Sequence, residues 1–262
     1  LKRSASMSNS PPLPNGKLKK SLGVFHVYTI ATGTTLGAGL FLLPSLAAQT
    51  AGPAMILAYI IAAIAIIPAM LSITELSTAM PKAGGVYYFL DRSLGPLFGT
   101  VGGLGTWLAL VLKVSFSLVG IGYYITIFTP LASGYIDIIA VGIAIGLGII
   151  NLFSSEGGGK LQVYLVIFLL FALALFLIFG TPQIQTNNFS GFFDAGFDKI
   201  MAAAGLVYIS FAGITKVSGL SEEVENPERN IPLGIFLSFA TTIIIYIVGT
   251  SIMVGVLDID TL

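Results

Sequence analysis

Seven long stretches of this 262-residue chain carry almost no charge. They run at about Leu22–Ala48, Pro53–Ala79, Leu97–Phe128, Tyr135–Phe153, Leu161–Gly180, Met201–Leu220 and Ile231–Leu257. A bilayer core takes roughly 20 apolar residues per helix, so each run reads as a membrane span. The runs lack strict apolar/polar alternation, which favours helices over the strands of a membrane barrel. Composition agrees: 55% of residues are hydrophobic and 9% charged, against about 25% charged in a soluble domain. The expected class is an all-α integral membrane protein, which excludes an ordinary cytosolic domain.

Twelve Lys and Arg balance twelve Asp and Glu, so no net positive field is available for nucleic acid. The chain has no cysteine, which removes disulfides and thiolate metal sites. A lone histidine, His26, without an acidic cluster makes no metal site. No cofactor is expected, and nothing in the sequence sets an oligomeric state.

The positive charges orient the spans. Lys2, Arg3, Lys17, Lys19, Lys20, Lys82, Arg92, Lys160 and Arg229 fall on one side of the seven-span arrangement; Lys199 falls on the other. The positive-inside rule puts the larger group, and the N-terminus, in the cytoplasm of a cell whose cytoplasmic membrane the chain crosses several times. Residues 1–20 read as a disordered polar tail and residues 21–262 as the membrane domain. The chain begins with Leu and stops soon after an apolar helix, so it reads as the first part of a longer protein, truncated after span 7.

Two spans contain interruptions. Span 1 carries GTTLGAGLF, with Gly33, Gly37 and Gly39 near mid-bilayer. Glycine costs about 1 kcal/mol relative to alanine inside a helix, so three together favour unwinding. Gly33 and Gly37 also fit small-residue helix packing, and this stretch alone leaves both readings open. Span 6 carries YISFAGITKVSGLSEEV, where Ala212 and Gly213 precede Thr215, Lys216 and Ser218. Interrupted helices five spans apart are the expected mark of a transporter built from two inverted five-helix repeats, its site at the interruptions.

GTTLGAGLFLLPSLAAQTAGPA, ELSTAMPKAGGVYYFLDRSLGP and FAGITKVSGLSEEVENPERNIPLGI occur in that order. Together they resemble the amino acid–polyamine–organocation (APC) permease superfamily, in its first helix, the loop after span 2, and span 6 with its following loop. The resemblance implies a secondary transporter of amino acids or related amines, working by alternating access as a symporter or exchanger. It also implies a substrate site. The carboxylate would rest on amides of Gly37, Ala38 and Gly39, and the ammonium on carbonyls of Thr35, Ile209 and Ala212. Phe211 and Thr215 would supply packing and polar contact beside Gly213. Ala38 stands where many members have a small hydroxyl residue, and Leu169 where some proton-driven members have lysine.

Lys113 lies near the centre of span 3, where burial costs roughly 2.5–3.5 kcal/mol. Helical spacing puts Thr106, Lys113, Ser117, Gly120 and Tyr124 on one face, which should point into the bundle. Lys113 reads either as a lysine satisfied by carbonyls or a carboxylate, or as a titrating or cation-mimicking group that couples transport, and Lys216 carries the same two readings. Glu75, Glu222 and Glu223 read as helix-end carboxylates or as an inner gate paired to Arg92 or Arg229. A seven-helix receptor or retinal protein fits the span count, but span 7 lacks a Schiff-base lysine. A membrane enzyme finds no His/Asp/Glu/Ser cluster at one depth, and a non-transporting fragment is the remaining alternative.

Overall fold

The computed structural model describes residues 20–129, 134–153 and 158–256. Apart from one parallel bridge, Leu22 to Val224, the regular elements among them are helices. In order they are α1 (Val24–Phe41), α2 (Leu43–Ala51), α3 (Met55–Ala79), α4 (Gly85–Leu94), α5 (Pro96–Phe128), α6 (Ile136–Phe153), α7 (Gly158–Gly180), α8 (Phe197–Phe211) and α9 (Pro227–Val256). A tighter helix, Ala212–Glu223, continues α8. The expected N-terminal tail lies almost wholly outside the described residues.

Seven spans are expected; among the described residues, five helical segments are long and apolar enough to cross a membrane. These are Leu43–Ala79, Pro96–Ile127, Gln162–Gln183, Phe197–Glu223 and Pro227–Val256. Span 1 departs because four threonines, three glycines and His26 dilute the apolar content of α1, which is also interrupted twice. Gly37 leaves helical geometry at φ −40° and ψ −110°, and Leu42 separates α1 from α2. At 1.5 Å per residue, α1 alone reaches only about 27 Å. Span 4 lies in α6, whose described apolar part runs Ile136–Ile149.

The segment after span 2 is a helix rather than a loop. In α4, Phe89 is buried while Tyr87 and Leu94 are exposed, as an amphipathic surface helix requires. Gly95, at φ +93°, ends α4 in a conformation that side chains disfavour. Pro96 then opens α5 at the position where a missing amide costs nothing.

At the centre, α1 packs against α7, α8 and α9, and α3 packs against α8 and α9. Leu36, Leu40, Tyr59, Phe211 and Tyr246 are fully buried there. On α5 and α7 many apolar side chains face outward, among them Leu104, Trp107, Phe168 and Phe171. At one end the chain ties both interrupted spans together. Ser21 and Leu22 amides donate to the Glu223 carbonyl at 3.0 and 3.1 Å, and the Glu225 amide donates to Leu22 at 2.9 Å.

The span 1 glycines divide between the two roles left open above. Gly33 faces Val166 of α7 with no room for a Cβ, which is close packing. Gly37 meets nothing within 4 Å and breaks the helix. Gly39 is pressed against Ser210 and Tyr246, and Gly213 lies directly on the backbone of Thr34 and Thr35. A methyl group at Gly213 would meet main chain that has nowhere to go. Gly213→Ala is expected to destabilise by about 1–3 kcal/mol or more. Gly205→Ala, in α8 with open space around it, should be neutral or slightly stabilising. Thermal unfolding of the two variants in detergent checks the contrast.

Candidate functional site

A helix interrupted in mid-membrane leaves carbonyls without their usual amide donors, and no water is at hand to replace them. Around Gly37 those carbonyls draw donors from three other helices. Lys113 Nζ in α5 donates to Thr34 O at 2.9 Å. Tyr246 in α9 donates to Thr35 O at 2.7 Å, and Tyr59 in α3 donates to Gly39 O at 2.7 Å. Tyr124 in α5 donates to Phe41 O at 2.5 Å. The expected inward face of span 3 thus meets span 1 through Lys113 and Tyr124, with Gly120 against Leu42 between them. Thr106, expected on that face, is exposed.

Span 6 changes helix type instead of breaking into two α-helical halves. After Phe211 it winds as a 12-residue helix of about three residues per turn. Such runs rarely exceed three or four residues, and this one is held by side chains bonding back to the main chain. Thr215 Oγ1 donates to Ala212 O at 2.8 Å, and Ser218 Oγ to Thr215 O at 2.7 Å. The two interruptions touch: Thr34 Oγ1 lies 2.9 Å from Gly213 O, with Ile30 O at 2.7 Å and Ala31 O at 3.1 Å as further acceptors in its own helix.

The proposed ammonium ligands therefore already hold donors in this structure. Thr35 O takes the Tyr246 hydroxyl, Ala212 O the Thr215 hydroxyl, and Ile209 O the Ala212 amide. Within the tight helix the Ala212 carbonyl also takes the main-chain amide three residues on, which engages both its lone pairs. Thr215 serves its own helix, and no bond of its hydroxyl points into a cavity.

Two cavities lie beside the span 1 interruption. One, of about 410 Å³, is lined by Gly37, Phe41, Leu42, Ser117, Gly120 and Tyr124, among others. The other, of about 400 Å³, lies between α1, α2, α5 and α8 and includes Gly39, Lys113, Ile209 and Ser210 in its wall. No carboxylate lines either cavity. Ser210 Oγ is buried and lacks a hydrogen-bond partner among the described residues. Ala38 lies between Gly37 and Gly39 in the backbone; its side chain lies outside the described set.

Phe211, expected to supply side-chain packing beside Gly213, lies fully buried in this structure. Leu206, Ile209 and Ser210 share the cavity face of α8 at three- and four-residue spacing. Phe211 falls on the core face with Val207, fully buried, its ring 5.1 Å from Tyr246 at 88° and 6.3 Å from Phe239. Tyr59 and Tyr246 complete this aromatic group at 5.0 Å.

The two lysines part company as well. Lys113 is half-buried with its ammonium on the Thr34 carbonyl, whereas Lys216 is exposed. Leu169 is partly buried against the core.

The expected gate pairs are also different. Among the described residues, no ion pair joins Arg92 or Arg229 to Glu75, Glu222 or Glu223. Glu75, Arg92 and Arg229 are exposed. Glu222 instead accepts the Ala83 amide at 2.9 Å and lies 3.7 Å from Lys82 Nζ. Ser221 Oγ donates to Lys82 O at 3.2 Å, and Gly85 fits against Ser218 and Gly219. The segment after span 2 thus clasps the end of span 6 mainly through main-chain groups. Charge pattern alone cannot reveal a carboxylate whose chief partner is an amide.

Tyr59, Tyr246, Ser210 and Lys82 are the residues that motif reading missed. The tyrosines had a usable signal: a phenol in mid-span has to find an acceptor, and carbonyls of an interrupted helix are the nearest kind.

Residues 26–262 match the family model described as amino acid permease. The branched-chain amino acid permease BcaP of Bacillus subtilis is 28% identical, the match covering 92% of this chain and 56% of that protein. The methylthioribose transporter of the same organism is 26% identical over 92% of this chain and 56% of its own length. The aromatic amino acid transport protein AroP of Escherichia coli K12 is 27% identical over 92% and 55%. The chain spans about half the length of these relatives.

Removing the Tyr246 or Tyr59 hydroxyl leaves a buried carbonyl one donor short. Tyr246→Phe and Tyr59→Phe are each expected to cost about 1–3 kcal/mol, read as a lower unfolding temperature. At the clasp, Glu222→Ala should lower stability more than Lys82→Ala. The Lys82 side chain is 57% exposed, and such ion pairs are worth about 0–1 kcal/mol. Repeating the unfolding at high salt should leave the Glu222→Ala deficit largely in place, since its main bond is to an amide.

Proposed function

Because this chain belongs to the amino acid permease family, we propose that it supplies the substrate-binding spans of a secondary transporter for amino acids or related compounds. The observation carrying this reading is the contact of two interrupted helices, Thr34 on Gly213, beside a cavity at mid-span. Interrupted spans offer backbone dipoles to a zwitterion without placing an acidic side chain in the membrane. Relatives named as permeases for branched-chain and aromatic amino acids support the same substrate group. The N-terminus would lie in the cytoplasm, and the spans would belong to an inverted five-helix repeat.

In this reading, amides of Gly37, Ala38 and Gly39 receive the substrate carboxylate. Carbonyls of Thr35, Ile209 and Ala212 receive its ammonium, near Gly213, as their present donors give way. The hydroxyls of Tyr246 and Thr215 hold two of these carbonyls in position when no ligand is bound. Alternating access then requires the Glu222 clasp to Ala83 and Lys82 to open on one side.

Lys113 is the proposed coupling group, through a proton lost and regained at its Nζ. Its ammonium faces a carbonyl and no carboxylate lines its cavity, so membrane burial of the charge is costly. Lys216, being exposed, has no comparable environment. The test is uptake by proteoliposomes of the full-length polypeptide carrying this chain, with and without a proton gradient. Amino acids should accumulate only with the gradient. Lys113→Ala should abolish gradient-driven accumulation while exchange persists, and Lys216→Ala should keep the wild-type pH profile. No uptake of any amino acid would count against the transporter reading; an unaltered pH profile in Lys113→Ala would remove the coupling role alone.

A further inference from the structure

We infer that the later half of span 6, Ala212–Glu223, is a helix with two forms: attachment to span 1 at both ends holds it in the tight form, and release of the strap at Leu22 lets it relax to an α-helix. This rests on the transporter reading only for what the motion serves, the opening of the Glu222 clasp.

The sequence of the segment suits the tight form. At three residues per turn, every third side chain falls on one line. Thr215, Ser218 and Ser221 make one such line, and the buried Ile214 and Val217 make another. Each hydroxyl of the first line reaches the carbonyl three residues back. Thr215 Oγ1 lies 2.8 Å from Ala212 O, Ser218 Oγ 2.7 Å from Thr215 O, and Ser221 Oγ 3.0 Å from Ser218 O. Hydrogen bonds in such a helix are poorer than in an α-helix, which is why a run of 12 residues needs support.

The two attachments carry the inference. At the start, Gly213 lies against the backbone of Thr34 and Thr35, with Thr34 Oγ1 2.9 Å from Gly213 O. At the finish, Leu22 and the fully buried Val224 form the parallel bridge. There the Ser21 and Leu22 amides donate to Glu223 O, and the Glu225 amide donates to Leu22 O. Between these points span 1 is continuous α-helix from Val24, since its non-helical residue, Gly37, lies beyond Thr34. Span 1 therefore cannot shorten to follow its neighbour.

The tight helix rises about 2.0 Å per residue and an α-helix about 1.5 Å, so conversion of the 12 residues draws the ends together by about 6 Å. No hydrogen bond stretches that far, so one attachment has to part first. The Gly213 end is pressed on main chain in the core, whereas the strap at the other end begins at the exposed Lys20 and Ser21. The strap is the end that yields. Conversion also turns the segment. Residues advance about 120° each in the tight form and about 100° in the α form, which from Gly213 to Glu222 adds to about half a turn. Ser221 and Glu222 are carried off Lys82 and Ala83, and the clasp opens in the same event.

The experiment is a pulsed electron resonance distance between spin labels at Tyr208→Cys and Glu225→Cys, both exposed positions, in the reconstituted full-length polypeptide cleared of other cysteines. With the strap intact, the long distance should dominate. Ser21→Pro with Leu22→Pro, which removes both amides that donate to Glu223 O, should shift the distribution shorter by about 5–6 Å. Thr215→Ala with Ser218→Ala should shift it the same way, and Thr215→Ser should leave it in place. In a separate uptake assay, a disulfide between Leu22→Cys and Val224→Cys should arrest transport, and reduction should restore it.

Distances unchanged in both the proline and the alanine variants would overturn the inference. If the proline variant does not fold, the alanine variant decides the distance test by itself. Full uptake through the cross-linked protein would also overturn it, because spans 1 and 6 would then swing together with the strap closed. Either result leaves transport standing. No uptake by the unaltered protein strikes the transporter reading, while the distances still report on the helix.

Discussion

The structure turns on one requirement: a helix interrupted inside a membrane has to find hydrogen-bond donors for its orphaned carbonyls from neighbouring helices. Water cannot serve there, and each unsatisfied group costs several kcal/mol. Lys113, Tyr246, Tyr59 and Tyr124 meet that demand at Thr34, Thr35, Gly39 and Phe41. These four bonds fix where α3, α5 and α9 stand relative to α1. The cavity beside Gly39 is a consequence of the same arrangement, since the donors arrive from different sides and the interrupted strand of helix lies between them.

The second interruption answers the same requirement by a different route. Span 6 tightens its helix and uses its own hydroxyls, Thr215 and Ser218, to bond the main chain within three residues. Gly213 permits the contact with Thr34 and Thr35 because any Cβ would meet their backbone. One interruption is therefore supported from outside and the other from within, and the two meet through Thr34 Oγ1 and Gly213 O. That asymmetry suits a device in which span 6 changes shape while span 1 is held, and long helices of this tight type often mark hinges.

Much of this was legible in the chain as written. The long uncharged runs and scarce charge announced an all-helical membrane protein, and the glycine cluster at residues 33–39 with the Ala212–Gly213 pair located both interruptions. Periodicity also placed Lys113 and Tyr124 on one inward face. Other features were hidden for identifiable reasons. The helix Gly85–Leu94 is short and sits among glycines and prolines, which read as loop. Glu222 chose an amide and Lys82 over the arginines because backbone proximity, not charge, decides which partner is reachable. Phe211 looked like a wall of the site, yet a shift of one or two positions along a helix turns a side chain from cavity to core.

The amino-acid order by itself determined the membrane class, the approximate limits of most spans and the places where helices would fail. Hydrophobicity and glycine content act locally, over one span at a time. Which glycine would pack and which would break, which lysine would be enclosed, and what would satisfy the opened carbonyls were decided only in the folded molecule. Gly33 met α7 and Gly37 met nothing; Lys113 reached a carbonyl and Lys216 faced outward. Those outcomes depend on which helices become neighbours. No local pattern encodes that, because in a bilayer lateral order is set by close packing and satisfied hydrogen bonds between distant segments.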